Sequence, residues 1–167
     1  MLGWLALGVL LVSVVLLWQR ARRDDARRAA AWDGLARDFM LGFDAGSRSI
    51  RGKYRLLRVE ITAGRTLLGL GPWRTRVEAR YEGVVPEGLA LSARGNELWA
   101  LARTPETLER WLDAHRRREL LPGLLRDGVH VSGHTAWTET PGLLTNPEAL
   151  RTLLGQLAEL AKCLSLR

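Results

Sequence analysis

Residues 1–18, MLGWLALGVLLVSVVLLW, carry no charged side chain, and Ser13 is their only polar one. A helix that is apolar all round has no side to turn to water, so this stretch fits poorly into the surface of a small domain. From Leu2 to Trp18 it would reach roughly 25 Å at about 1.5 Å per residue, the short end of what crosses a hydrocarbon core. Trp4 and Trp18 stand near its two ends, where amphipathic aromatics favour the membrane interface. Arg20, Arg22 and Arg23 follow at once and can reach back to headgroups, which eases the length deficit. A cleaved signal peptide would need a basic start and a small-residue exit. No Lys or Arg precedes the stretch, and the exit reads Leu17-Trp18-Gln19-Arg20. The expectation is a transmembrane anchor over residues 1–19.

Charge sets the direction of that anchor. Arg20, Arg22, Arg23, Arg27 and Arg28 outweigh Asp24 and Asp25 by a net +3 just after it, and only the α-amino group lies before it. The positive-inside rule then puts the N-terminus outside and the rest of the chain in the cytoplasm. The formal charge of the whole chain is +7, and of its 25 basic residues only Lys53 and Lys162 are lysines. Such a skew towards Arg follows GC-rich bacterial coding, so the charge alone selects no partner. The membrane expected is the bacterial inner membrane. Cys163 is the single cysteine, which rules out an internal disulfide and suits a reducing compartment.

Residues 20–41 contain no proline, so a juxtamembrane helix can continue from the anchor. Trp32, Leu35, Ala36, Phe39 and Met40 recur at helical spacing and predict a stripe packed on the domain, with Gly42 and Gly46 ending the helix. The period then changes to two. Residues 57–62 alternate strictly, and Tyr54 and Leu56 precede them out of phase, which predicts a bulge or bend. Ala63-Gly64 is a turn candidate. In 73–82, Trp73, Thr75, Val77, Ala79 and Tyr81 face one way and charged residues the other, as on a half-solvated antiparallel sheet. Pro86-Glu87-Gly88 and Arg94-Gly95-Asn96 are turns bounding strands near 89–92 and 97–102.

Thr104-Pro105-Glu106 signals a helix start, with Leu108, Trp111, Leu112 and His115 as its buried stripe and Pro122-Gly123 as its break. Residues 129–132 and 135–140 read as a hairpin across Gly133-His134. Asn146-Pro147-Glu148 opens a last helix whose leucines form a near-complete apolar stripe. Strands, helix, hairpin and helix make an α+β domain over 42–167, a small antiparallel sheet covered by helices. Gly52-Lys53-Tyr54 before an alternating strand, the Pro86-x-Gly88-Leu89 turn and the Leu-rich closing helix resemble uncharacterised small bacterial domains, often membrane-tethered. The resemblance covers roughly 42–164 and implies no activity, so it gives no residue a role.

The chemistry in the sequence is sparse. His130 and His134 have no third ligand nearby for zinc, and no nucleophile elbow, P-loop or H-E-x-x-H occurs. Gly69-Leu70-Gly71 runs into Pro72 and so opens no helix as a phosphate cradle would. No cofactor, metal or small-molecule substrate is expected. The basic groups Arg27 and Arg28, and Arg116, Arg117 and Arg118 at a helix end, are the candidates for an anionic partner. The expectation is a non-enzymatic membrane protein whose cytoplasmic domain binds another protein or assembles with itself. The alternative is an anionic-lipid or nucleic-acid binder working through those arginines.

Overall fold

The strictest alternation in the chain, beginning at Trp73, forms the strand around which the sheet is built. The computed structural model describes Gln19, Arg23 and residues 26–65, 71–126 and 128–166. The expected anchor up to Trp18, with Trp4, and the flanking Arg20 and Arg22 lie outside the described residues. Among those described, no helix is long and apolar enough to cross a membrane. A helix over 26–38 (α1) leads into β1 (Gly42–Asp44), β2 (Ser49–Tyr54), β3 (Leu57–Arg65), β4 (Trp73–Arg80), β5 (Ala90–Arg94) and β6 (Glu97–Leu101). Then come α2 (Pro105–Asp113), a 3-10 turn (Ala114–Arg116), α3 (Arg117–Leu124), β7 (Val129–Ser132), β8 (Thr135–Pro141) and α4 (Pro147–Ser165).

The fold is α+β. All eight strands form one antiparallel sheet in the order β1-β2-β3-β4-β8-β7-β5-β6. The β7–β8 hairpin thus lies between β4 and β5 and pairs with both, which satisfies two backbone edges that would otherwise stay open. Ile50, Ile61, Val77, Thr138 and Val129 line up across the inner face, with Val59, Ala79, Ala136, Val131 and Leu91 in the next row. α4 lies over β4 and β8, where Ala79 and Ala136 leave it room. Its Leu150, Leu154, Leu157, Leu160 and Leu164 are fully buried, and Asn146 caps it by accepting from Glu148 N at 2.9 Å. Trp32 of α1 donates to Leu144 O at 3.0 Å. Thr75 holds the same connection, donating to Gly142 O and accepting from Leu144 N, both at 2.9 Å.

Several expectations are corrected. The juxtamembrane helix does not run to 41. Leu41 N bonds Ala36 O and Met40 N bonds Arg37 O, a Schellman closure with Met40 left-handed at φ 55° and 95% exposed, so Met40 leaves the buried stripe. Gly42 then starts β1 instead of ending the helix, and Leu41 lies over Gly52, where an added Cβ would come 2.7 Å from its Cδ2. The phase slip before residue 57, expected as a bulge or bend, is a full reversal through a two-residue turn, Arg55-Leu56, joining β2 to β3. Ala63-Gly64 stays in β3, paired with Thr75 and Arg74. The break after α2 comes at His115 and Arg116, at φ 54° and 57°, whereas Pro122 sits inside α3. His115 is consequently exposed rather than part of the buried stripe.

That break is organised by Arg117. It is 2% exposed, and its guanidinium donates to Trp111 O at 2.9 Å, to Cys163 O at 3.3 Å and to Leu166 O. These carbonyls lie at the C-terminal ends of α2 and α4, where helix carbonyls have no partner of their own. The Trp111 ring packs 4.5 Å from the same guanidinium. Two left-handed residues turn the chain back so that one buried cation can join two helix ends.

Candidate interaction surface

With the described helices on one face, pleating sends every second side chain of the sheet to a face that no described element covers. Register decides which residues meet there. Lys53 stands opposite Arg58, Arg58 opposite Arg80, Arg80 opposite Thr135, Thr135 opposite Ser132, Ser132 opposite Ala90 and Ala90 opposite Leu101. One row across seven strands therefore reads three cations, two hydroxyls and two apolar residues. Lys53, Arg58 and Arg80 are exposed and form no ion pair among the described residues. Like charges directly opposite one another are unfavourable, so an anion laid along them would relieve that repulsion. A depression of ≈ 560 Å³ runs beside them.

The neighbouring charges on this face are compensated. Arg51 pairs with Glu60 at 2.7 Å, and Arg74 lies 3.6 Å from Glu139. Arg76 Nε lies 2.6 Å from Glu78 Oε1, an ion pair without an aligned hydrogen bond. At the apolar end, His130 stacks on Trp137 with centroids 4.5 Å apart, and Arg76 covers the Trp137 ring at 4.1 Å. Trp99 is 62% and Leu101 68% exposed, and together with Trp137 and His130 they line a cleft of ≈ 430 Å³. β6 also forms one edge of the sheet. Its outer backbone edge and two large exposed apolar side chains coincide.

The structure separates the arginines expected to act together. Arg23 and Arg27 are exposed on the helix leading to the domain, and Arg28 lies 5.3 Å from the Trp73 ring. Of the three consecutive arginines, Arg116 pairs with Glu119 at 2.5 Å, and Arg118 pairs with Asp113 at 3.0 Å and with Glu109. Those two acids hold the Arg118 guanidinium above its usual pKa, while burial pulls Arg117 below its own. His130 is on the open face and His134 beside Tyr81, their ring centroids 5.9 Å apart in the latter pair. Among the described residues, no three His, Cys, Asp or Glu side chains gather to hold a metal ion. Burial pushes up both the Cys163 thiol and the Tyr81 phenol, which donates to Gly133 O at 2.5 Å. Neither group is set up to ionise near neutral pH.

Sequence reasoning missed the row. Arg80 is visibly outward in its strand, but Lys53 and Arg58 meet it only through the two-residue Arg55-Leu56 turn, which carries no Gly or Asn signal. No family model, curated protein or solved structure matches the chain.

Proposed function

We propose that the chain is a single-pass, membrane-anchored protein whose cytoplasmic domain docks a partner protein without catalysing a reaction. Residues 1–19 form the anchor, 20–41 the juxtamembrane segment and 42–167 the docking domain, at the bacterial inner membrane with the N-terminus outside. The observation that carries the docking reading is the row from Lys53 to Leu101, cationic at one end and apolar at the other. Its occupant is a protein segment with acidic residues at one end and apolar ones at the other. Six strand spacings of about 4.8 Å make the row roughly 29 Å long, a span of some 19 helical residues. The apolar end fits the aromatic pocket of a protein interface, and the cations supply steering and register.

The distance of this row from α1 supports a protein occupant over lipid. Arg28 of α1 touches the start of β4 at Trp73, whereas Arg80 closes that strand, about 23 Å away at 3.3 Å per residue. A chain entering from an anchor through α1 would hold the cations away from lipid, which favours a soluble macromolecule as their occupant.

The test is a crosslinking pull-down of the full chain from solubilised membranes. A partner should be captured by the unaltered chain and lost from W99S/L101S. It should be captured less well, and with a shallower salt dependence, by K53E/R58E/R80E. Capture of the same proteins by all three would overturn the docking reading. A dimer lost with W99S/L101S would move it to self-assembly, and salt-sensitive RNA binding lost with the charge variant would move it to nucleic acid.

A further inference from the structure

At the other end of the sheet lies a cavity of ≈ 280 Å³ between α1 and the inner face. Its apolar walls include Ala26, Ala29 and Trp32 of α1, with Phe43, Ala63 and Leu143. The cause is visible in the sequence. Further along α1, Trp32, Leu35 and Phe39 fill the space over the sheet, but Ala26 and Ala29 are too short to do so. Trp73 closes one side, and its Nε1–H is buried without a hydrogen-bond partner among the described residues. Three guanidinium groups surround the same ring: Arg65 at 5.0 Å, Arg28 at 5.3 Å and Arg48 at 6.0 Å from its centroid.

We propose that this cavity takes one acyl chain of an anionic phospholipid, with the lipid phosphate held among Arg65, Arg28 and Arg48. The volume is at the low edge of small-molecule pockets, roughly 300–1,000 Å³, so it admits part of a chain and leaves the head at the mouth. Arginine suits the head, since its planar fork binds phosphate oxygens in pairs. Residues 26–32 of α1 line this site, so a chain that reaches them from a membrane anchor carries the cavity on the side of the domain that faces the headgroup layer. The inference draws on the anchor reading for that placement alone, and is independent of the protein partner.

The experiment places the full chain in nanodiscs of equimolar phosphatidylcholine and phosphatidylglycerol, and counts the lipids retained after release by native mass spectrometry. Phosphatidylglycerol should exceed phosphatidylcholine by about tenfold, because the arginines that hold the shared phosphate repel the choline cation beside it, at about 1.4 kcal/mol per tenfold. Arg65→Gln and Ala29→Phe should bring the ratio near one, the second by filling the cavity with the charges intact. A ratio unchanged in Ala29→Phe and Arg65→Gln would mean that the juxtamembrane arginines hold the lipid, and would overturn the site. Displacement of the lipid by decanoate at equal concentration would assign the cavity to fatty acids and overturn the phospholipid. If the chain does not enter the discs, the anchor reading fails, and the same count from mixed short-chain lipid micelles tests the cavity by itself.

Discussion

Met40 holds a left-handed backbone at the end of α1 while its side chain points into water. A non-glycine residue in that conformation costs roughly 1–2 kcal/mol, and glycine is the usual occupant of the position. Glycine also gains freedom in the unfolded chain, which offsets part of the benefit. Met40→Gly should therefore stabilise the protein by up to about 1 kcal/mol in urea unfolding. A loss of stability would show that the Met40 side chain makes contacts it is not seen to make. Asp44 shows the opposite kind of local device. The Ser47 hydroxyl, helped by the Gly46 and Ser47 amides, holds its carboxyl below the ordinary 3.8. A depressed carboxyl stabilises the fold above its unfolded pKa, and that contribution fades as pH falls through the folded value. The stability gap between the natural chain and Asp44→Asn should be constant near neutrality and close below about pH 4. A gap that persists in acid would mean that shape, not charge, orders the loop.

Between elements, the buried Arg117 does for two helix ends what caps do for one. Arg117→Met removes the donor from the Trp111, Cys163 and Leu166 carbonyls together, and should cost about 3 kcal/mol or more in chemical denaturation. Arg117→Lys should recover only part of it, because an ammonium lacks the fork. Leu157, fully buried in α4, should cost ~2–5 kcal/mol as Leu157→Ala; a change below about 1 kcal/mol would place α4 off the sheet. α4 was legible in the sequence because its cap, proline and leucine spacing all act within one segment. The β7–β8 hairpin was legible for the same reason, its turn standing between two alternating runs. β1 and β2 were not. Ser49–Tyr54 offers Ile50 and Tyr54 as its only large apolar residues, and Gly52 weakens the pattern because Leu41 needs its space. The break at His115 was equally hidden, since Pro122 is a local signal and the reach of Arg117 to α4 is not. The cation row is hidden for that reason too. It exists in the register between strands and in no single one of them.

For the whole molecule, topology is the first thing to measure. A reporter active only in the cytoplasm, fused after Arg167, should work, and a periplasmic one should stay silent. Replacing Arg20, Arg22, Arg23, Arg27 and Arg28 by Gln, with lysines added after Met1, should weaken or invert that result. An active periplasmic reporter on the unaltered chain would place the domain outside and remove the case for a cytoplasmic partner. The order of the sheet bears on how the chain is made. β8 and β7 are synthesised after the other six strands, yet they occupy the middle. Until residue 141 has left the ribosome, β4 and β5 each present a bare backbone edge, and the two halves of the sheet have nothing to join them. Pairing across that gap is long-range and slow to close. The nascent chain must therefore wait as two unfinished pieces, exposed to chaperones, proteases and neighbouring copies, until its final third arrives to lock them.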